Sequence, residues 1–240
     1  MPSVGRRGPG SDLSFVSRLN GRAIVRLPGH LAVPAIAAAW VLGACAGPAD
    51  EDVRDKPEEP PPRVAWVPTE VQLAEATRLG QDAATLLATT LVRQLSAKLE
   101  GGGPEAAITF CSDEALPLTR TVNEELGDLE VRRTSSRLRN PANAPDARDR
   151  EALAWFESGA ARGSLPPNRL QTTGDEAVRY YQPLIVNELC VQCHGPEEEL
   201  APSVRRLLQE LYPDDRATGY RPGDLRGLIR VIIPRTSVGG

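Results

Sequence analysis

The chain has 240 residues, 40% of them hydrophobic and only 4% aromatic, which suits one modest folded domain with tails rather than two large domains. A net charge of -4 offers no basic surface, so no nucleic-acid partner is expected. Four cysteines, two histidines and one methionine keep the list of candidate metal ligands short.

The amino end does not read as fold. Arg18, Arg22 and Arg26 precede an apolar run over 31–44 that contains Pro34 and ends in Leu42-Gly43-Ala44-Cys45. That run is short for a transmembrane helix, which takes about 20 apolar residues. A basic region, a short apolar region and small residues before a cysteine resemble a bacterial lipoprotein signal. The resemblance implies removal of 1–44, a lipid on the Cys45 thiol, and an exported, periplasmic protein anchored to a bacterial membrane. An ordinary secretory signal with a chance cysteine is the alternative. Because 1–44 carries five arginines and one aspartate, its loss leaves a more acidic mature chain. Residues 45–68, with Asp50-Glu51-Asp52 and Glu58-Glu59-Pro60-Pro61-Pro62, lack apolar periodicity and read as a disordered acidic, proline-rich tether.

From 69 onward the pattern becomes that of a folded domain, 69–240. Leu79, Ala83, Leu87, Leu91, Leu95 and Leu99 form a four-residue stripe of a long helix, capped by Thr69 and stopped by Gly101-Gly102-Gly103. A strict four-residue step drifts around a helix, so the stripe is expected to pack on the core, with dimerisation through it a minority option. A second helix is expected from Pro104-Glu105, carrying Ala107, Ile108 and Cys111, with a continuation over 116–126. A strand follows over 129–135, then a loop over 139–146 rich in proline and asparagine, whose Asp146 caps a helix through Ala154, Trp155 and Phe156. Strands are expected over 178–186 and 228–233, with a short helix over 200–211. Helices first and short-linked strands later argue for α+β with an antiparallel sheet.

Cys190-Val191-Gln192-Cys193-His194 is the C-x-x-C-H signature of covalent haem attachment. In a helical turn both thiols fall on one face and can add to the haem vinyl groups, while the adjacent imidazole reaches the iron. Zinc would want four ligands, and the chain offers no second C-x-x-C and no H-x₃₋₅-H. A thioredoxin-type pair requires no histidine directly after the second cysteine. Export and this motif support each other, because c-type haem is attached outside the bacterial cytoplasm.

One haem c, covalently held, takes His194 as its fifth ligand and commonly a methionine or second histidine as its sixth. Met1 and His30 both fall in the signal segment. A thiolate, a lysine, a tyrosine, a terminal amine, an exogenous ligand and an open site remain. Cys111 is the one thiol without an assigned role, with an inert buried thiol as the alternative. Among Arg132, Arg133, Arg137 and Arg139, candidates for the haem propionates or merely for a solvated strand edge, Arg139 is the first choice. Tyr180 and Tyr181 alternate along a strand, so at most one should face a haem.

The segments Ile108-Thr109-Phe110-Cys111, Arg132-Arg133-Thr134-Ser135, 138–146, Cys190-Val191-Gln192-Cys193-His194-Gly195 and 219–227 together resemble the c-type haem family proteins, monohaem cytochromes with a PAS-like fold. The resemblance covers about residues 70 to 235. It implies a PAS-like antiparallel sheet flanked by helices, with a long amino-terminal helix, and a haem c ligated by His194 and Cys111. With both axial positions filled, a low-potential one-electron carrier or redox-responsive protein with an unidentified redox partner is expected. A haem-based redox or gas sensor acting through a separate partner is the alternative. A peroxidase-like enzyme would need an open distal site with a polar acid or base, and no distal histidine is available for it.

Overall fold

The computed structural model describes residues 65–174 and 176–239. The signal segment 1–44, Cys45 and almost all of the 45–68 tether lie outside the described residues, so the expectations for them are not addressed by the fold.

Helix α1 (Glu70–Asp113) opens on a capping box, in which the Thr69 hydroxyl accepts from the Gln72 amide and the Gln72 side chain accepts from the Thr69 amide. Its buried face is Ala76, Gly80, Ala83, Ala84, Leu87 and Leu91, packed on Val178 and Tyr180 of one strand and Ile229, Val231 and Ile233 of another. Small residues let the helix lie close to the sheet, and a fully buried leucine such as Leu87 contributes about 1.5–3 kcal/mol. The expected leucine stripe is only half right, since Leu79 and Leu95 sit at the margin and the buried line follows Ala76, Gly80 and Ala84 instead. The 3.6-residue period, not the four-residue step, decides the buried face.

The helix breaks at Gly103, whose φ of 72° and ψ of -170° are available only to glycine, and resumes with Pro104 in its first turn. The break is sharp. Lys98 Nζ reaches Glu114 Oε1 at 2.7 Å, whereas sixteen residues of straight helix would separate them by about 24 Å. The expected stop at the glycine triplet is therefore met at its third member, and Cys111 rides on the returning segment. Helix α2 (Ala115–Leu126) follows after a single non-helical residue.

Four antiparallel strands, β1 (Glu130–Thr134), β2 (Arg169–Thr172), β3 (Ala177–Ile185) and β4 (Leu225–Pro234), form one sheet in the order β1-β4-β3-β2. Helix α3 (Ala147–Ala161) opens on the expected Asp146 cap and covers the sheet face opposite α1 with Ala152, Leu153 and Phe156. The strand edge of β1 is closed by Asn123, whose amide group exchanges hydrogen bonds with the Val131 backbone at 2.6 and 3.0 Å. β2 escapes the sequence pattern because Leu170 is its sole apolar side chain, and pairing with β3 alone makes it a strand. Residues Pro60–Gly240 form one compact unit. The α+β, PAS-like architecture expected from the sequence is what these residues build.

Candidate functional site

Between β3 and β4 the chain makes one helical turn, α4 (Val191–His194), with Cys190 at its cap. The His194 amide donates to Cys190 O at 3.0 Å and the Gly195 amide to Val191 O at 2.9 Å, closing the turn. A Cβ at Gly195 would stand 2.6 Å from Val191 O, so the residue after the histidine has no room for a side chain. The turn is entered through Asn187, whose side-chain oxygen accepts from the Leu189 and Cys190 amides and from the Cys190 thiol. It is held from behind by the returning chain, as Gly219 N donates to Gly195 O at 2.7 Å and Tyr220 N to His194 O at 2.9 Å.

The two motif thiols point into different surroundings. Cys190 packs beside Val186, Ala217 and Tyr220. Cys193 packs against Ile108 of α1 and Val204 and Leu208 of α5 (Pro202–Leu211). Both are free, as is Cys111. Burial pushes the Cys193 thiol up to about 11.

His194 is oriented by a relay of backbone and side chain. Its Nδ1 lies 2.6 Å from Ala217 O, a contact that fixes the proton on Nδ1 and leaves the Nε2 lone pair free. Ala217 N in turn donates to Asp215 Oδ1 at 2.7 Å, and Asp215 Oδ2 accepts from Arg139 at 2.9 and 3.1 Å. Arg139 Nη2 also donates to Cys193 O at 2.6 Å, so the same guanidinium ties the motif to the loop that aims its histidine. Burial, joined by the charges of Arg139 and Arg226, holds the His194 imidazole well below its ordinary pKa, which keeps it neutral and able to donate a lone pair.

A cavity of about 140 Å³ gathers what the sequence scattered. Cys111 from the returning segment of α1, Arg133 from β1, Arg139, Leu184 from β3, His194 and Arg226 from β4 all line it. Burial raises the pKa of the half-buried Cys111 thiol, against the opposing charges of Arg133, Arg139 and Arg226. A neutral imidazole nitrogen and a sulfur thus share one cavity, with an apolar wall from Leu184, a donor set that suits iron. Among the described residues no three or more His, Cys, Asp or Glu side chains converge as a metal-holding group.

Each expected site residue has a definite place. His194, Cys111 and Arg139 line one cavity, with Arg139 Nε and Nη2 committed to Asp215 and Cys193 O, whereas Cys190 and Cys193 stand on the helical turn beside it and outside its lining. Arg132 donates to Ala144 O and lies outside the cavity, and Arg137 braces the returning loop through Arg216 O and Thr218 O while its guanidinium lies over the Tyr220 ring at 4.2 Å. Neither Tyr180 nor Tyr181 lines the cavity, since one packs under α1 and the other under α3. The aromatic groups at the site are Tyr212, which lines the cavity, and Tyr220, edge-on to the His194 ring at 6.4 Å. Sequence reasoning assigned no role to these tyrosines, to Asp215 or to Arg226; the only signal was that Tyr220 and Arg226 belong to the glycine-rich 219–227 segment.

The model of the Tll0287-like family matches residues 55–234. Among solved structures, the chain is similar to one described as the crystal structure of the cyanobacterial heme-protein Tll0287, with 31% identity over 68% of this chain and 92% of that one, at a TM-score of 0.44. Comparison with curated proteins gave no match.

Proposed function

The chain belongs to the Tll0287-like family, and on that premise we propose that it is an exported monohaem c-type cytochrome acting in one-electron transfer or redox response. The carrying observation is that Cys111 and His194, distant in sequence, line one cavity beside the helical turn that holds Cys190 and Cys193. The description of the similar cyanobacterial protein as a heme-protein supports the same cofactor.

In this reading Cys190 and Cys193 would hold the haem through thioethers, and His194 and Cys111 would be the protein ligands of its iron. The bound haem supplies a one-electron ferric–ferrous couple. His194 enters as a neutral ligand, kept so by burial and aimed by its bond to Ala217 O. Cys111 would have to be a thiolate to hold iron, a form that the charges of Arg133, Arg139 and Arg226 favour against the burial that disfavours it. Leu184 and Tyr212 exclude water from this side. Were His194 and Cys111 both bound to iron, no coordination position would remain open to a substrate, and we propose no catalytic turnover. The proposed location is the periplasmic side of a bacterial membrane, held by lipid on Cys45.

A sensor acting through a separate partner is the second reading. It is favoured by the place of Cys111 on a segment joined to the main helix through the glycine-only backbone of Gly103, a junction at which the ligand could swing away.

The decisive experiment compares absorption spectra of oxidised and reduced protein with those of Cys111→Ala, and takes the intact mass of the mature chain. A Soret band altered by the substitution is expected, with added mass for one tetrapyrrole and a diacylglyceryl group. A colourless wild type sinks the haem reading, an unchanged spectrum sinks Cys111 ligation, and an unmodified Cys45 sinks the anchor.

A further inference from the structure

The cavity carries more positive charge than the protein neutralises. Its lining includes the guanidinium groups of Arg133, Arg139 and Arg226 and no carboxylate. Asp215 balances Arg139 from behind, in a pair whose side chains are 8% and 9% exposed. Neither of the other two is in an ion pair with a carboxylate among the described residues, although Arg226 feels the Asp215 charge from a distance. The guanidinium of the half-buried Arg133 makes no hydrogen bond or ion pair among the described residues, and partial loss of water lowers its pKa. Arg226 spends Nη1 on Ser135 Oγ at 2.8 Å and Arg137 O at 3.1 Å, while its Nε is buried with no partner. A guanidinium drawn partly out of water is costly unless paired, so unmet donors at a cavity wall point to an anionic occupant.

Backbone geometry aims both side chains. Arg133 is two residues from Val131, which packs with the α1 cluster, so alternation along β1 turns Arg133 to the same face of the sheet and Arg132 to the other. On β4, Leu225 pairs with Ile185 and Gly227 with Leu184, which leaves Arg226 as the extra residue of a β-bulge. A bulge turns a side chain away from its regular direction, here into the cavity. Gly227 completes the arrangement, since a Cβ there would meet Thr134 O at 2.4 Å.

We infer that Arg133 and Arg226 receive the two propionate carboxylates of the haem. This inference rests on the haem reading above and adds to it the residues that anchor the polar edge of the cofactor. Two unneutralised cations answer two carboxylates, and a guanidinium offers each a forked, charge-assisted contact. Arg132, Arg137 and Arg139, the other candidates in the sequence, have their donors engaged by Ala144 O, by Arg216 O and Thr218 O, and by Asp215 and Cys193 O. Arg133 and Arg226 are positioning residues for the redox couple. They hold the propionates ionised and set the local charge against which the iron is reduced.

The test is a spectroelectrochemical titration of the holoprotein between about pH 5 and pH 8, over which a carboxylate freed from its cation regains a proton. The variants are Arg133→Gln, Arg226→Gln and the charge-keeping Arg133→Lys and Arg226→Lys, with Arg132→Gln as control. Loss of either cation is expected to lower the midpoint potential, because a nearby positive charge favours the reduced state, and to add an inflection to its pH dependence. Lysine is expected to restore most of both effects, and the control to follow wild type. Glutamine variants that carry haem and keep the wild-type curve overturn the assignment. If a glutamine variant fails to mature, its lysine variant decides through the propionate bending band in resonance Raman spectra, which must shift, and an unmoved band overturns the assignment. A wild type without a Soret band fails the haem reading itself, a result distinct from all of these.

Discussion

Asp215 shows how a residue with no motif of its own governs the site. One of its carboxylate oxygens positions Ala217, whose carbonyl accepts a hydrogen bond from His194 Nδ1, and the other neutralises Arg139, which grips Cys193 O. Asp215→Asn keeps the shape and removes the charge, leaving a nearly buried arginine unpaired. Breaking such a buried pair costs about 3–5 kcal/mol. Denaturant unfolding of the holoprotein is expected to show a loss of that order, and a loss below about 1 kcal/mol would mean that the pair is screened as a surface bridge is. The C-x-x-C-H residues could be read from spacing alone, because their chemistry needs them adjacent. Asp215 and Arg226 could not, because their roles depend on a loop and a bulge that bring residues from opposite ends of the domain together.

At the scale of elements, the seat of α1 on the sheet depends on a residue that hydrophobic periodicity passes over. A Cβ at Gly80 would lie 2.2 Å from Tyr180 Cγ, so helix and strand approach through the missing side chain. In an isolated helix Gly→Ala gains about 1 kcal/mol. Here the overpacking costs about 1–3 kcal/mol, and Gly80→Ala is expected to lower stability despite its better helix propensity. Thermal unfolding checks the sign, and a raised melting temperature would show that the interface yields. The caps at Thr69 and Asp146 were legible because a cap needs only the few residues of one helical turn. The edge strand β2 was not, since its partner supplies most of the reason for its existence.

Across the whole molecule the sheet divides two polar systems. On the α3 side, away from the cavity, the fully buried Asp149 accepts from the Tyr181 hydroxyl at 3.0 Å and lies 3.4 Å from both Arg179 and Arg230. Burial pushes the Tyr181 hydroxyl up to about 12, with the Arg179 hydrogen bond opposing and the Asp149 charge adding to the rise. A raised folded-state pKa means that the associated stability is complete below the unfolded value, about 10, and disappears as pH climbs through the folded one. Alkaline unfolding is therefore expected to set in between about pH 10 and 12. Spectrophotometric titration of tyrosinate is expected to lose its component near pH 12 in Tyr181→Phe, and an unchanged titration would place that ionisation elsewhere.

The sequence by itself pointed to Cys190, Cys193 and His194 as a haem-attachment motif, singled out Cys111 as the spare thiol, and indicated an α+β domain, since each depends on short spacing, elimination or local periodicity. The tertiary structure alone decided that Cys111 returns past Gly103 to the cavity of His194, that Arg139 is spent on Asp215, and that Arg226 turns inward at a bulge. Those outcomes follow from strand register, backbone breaks and the pairing of buried charges, which are set by contacts between residues far apart in the chain and leave no periodic trace along it.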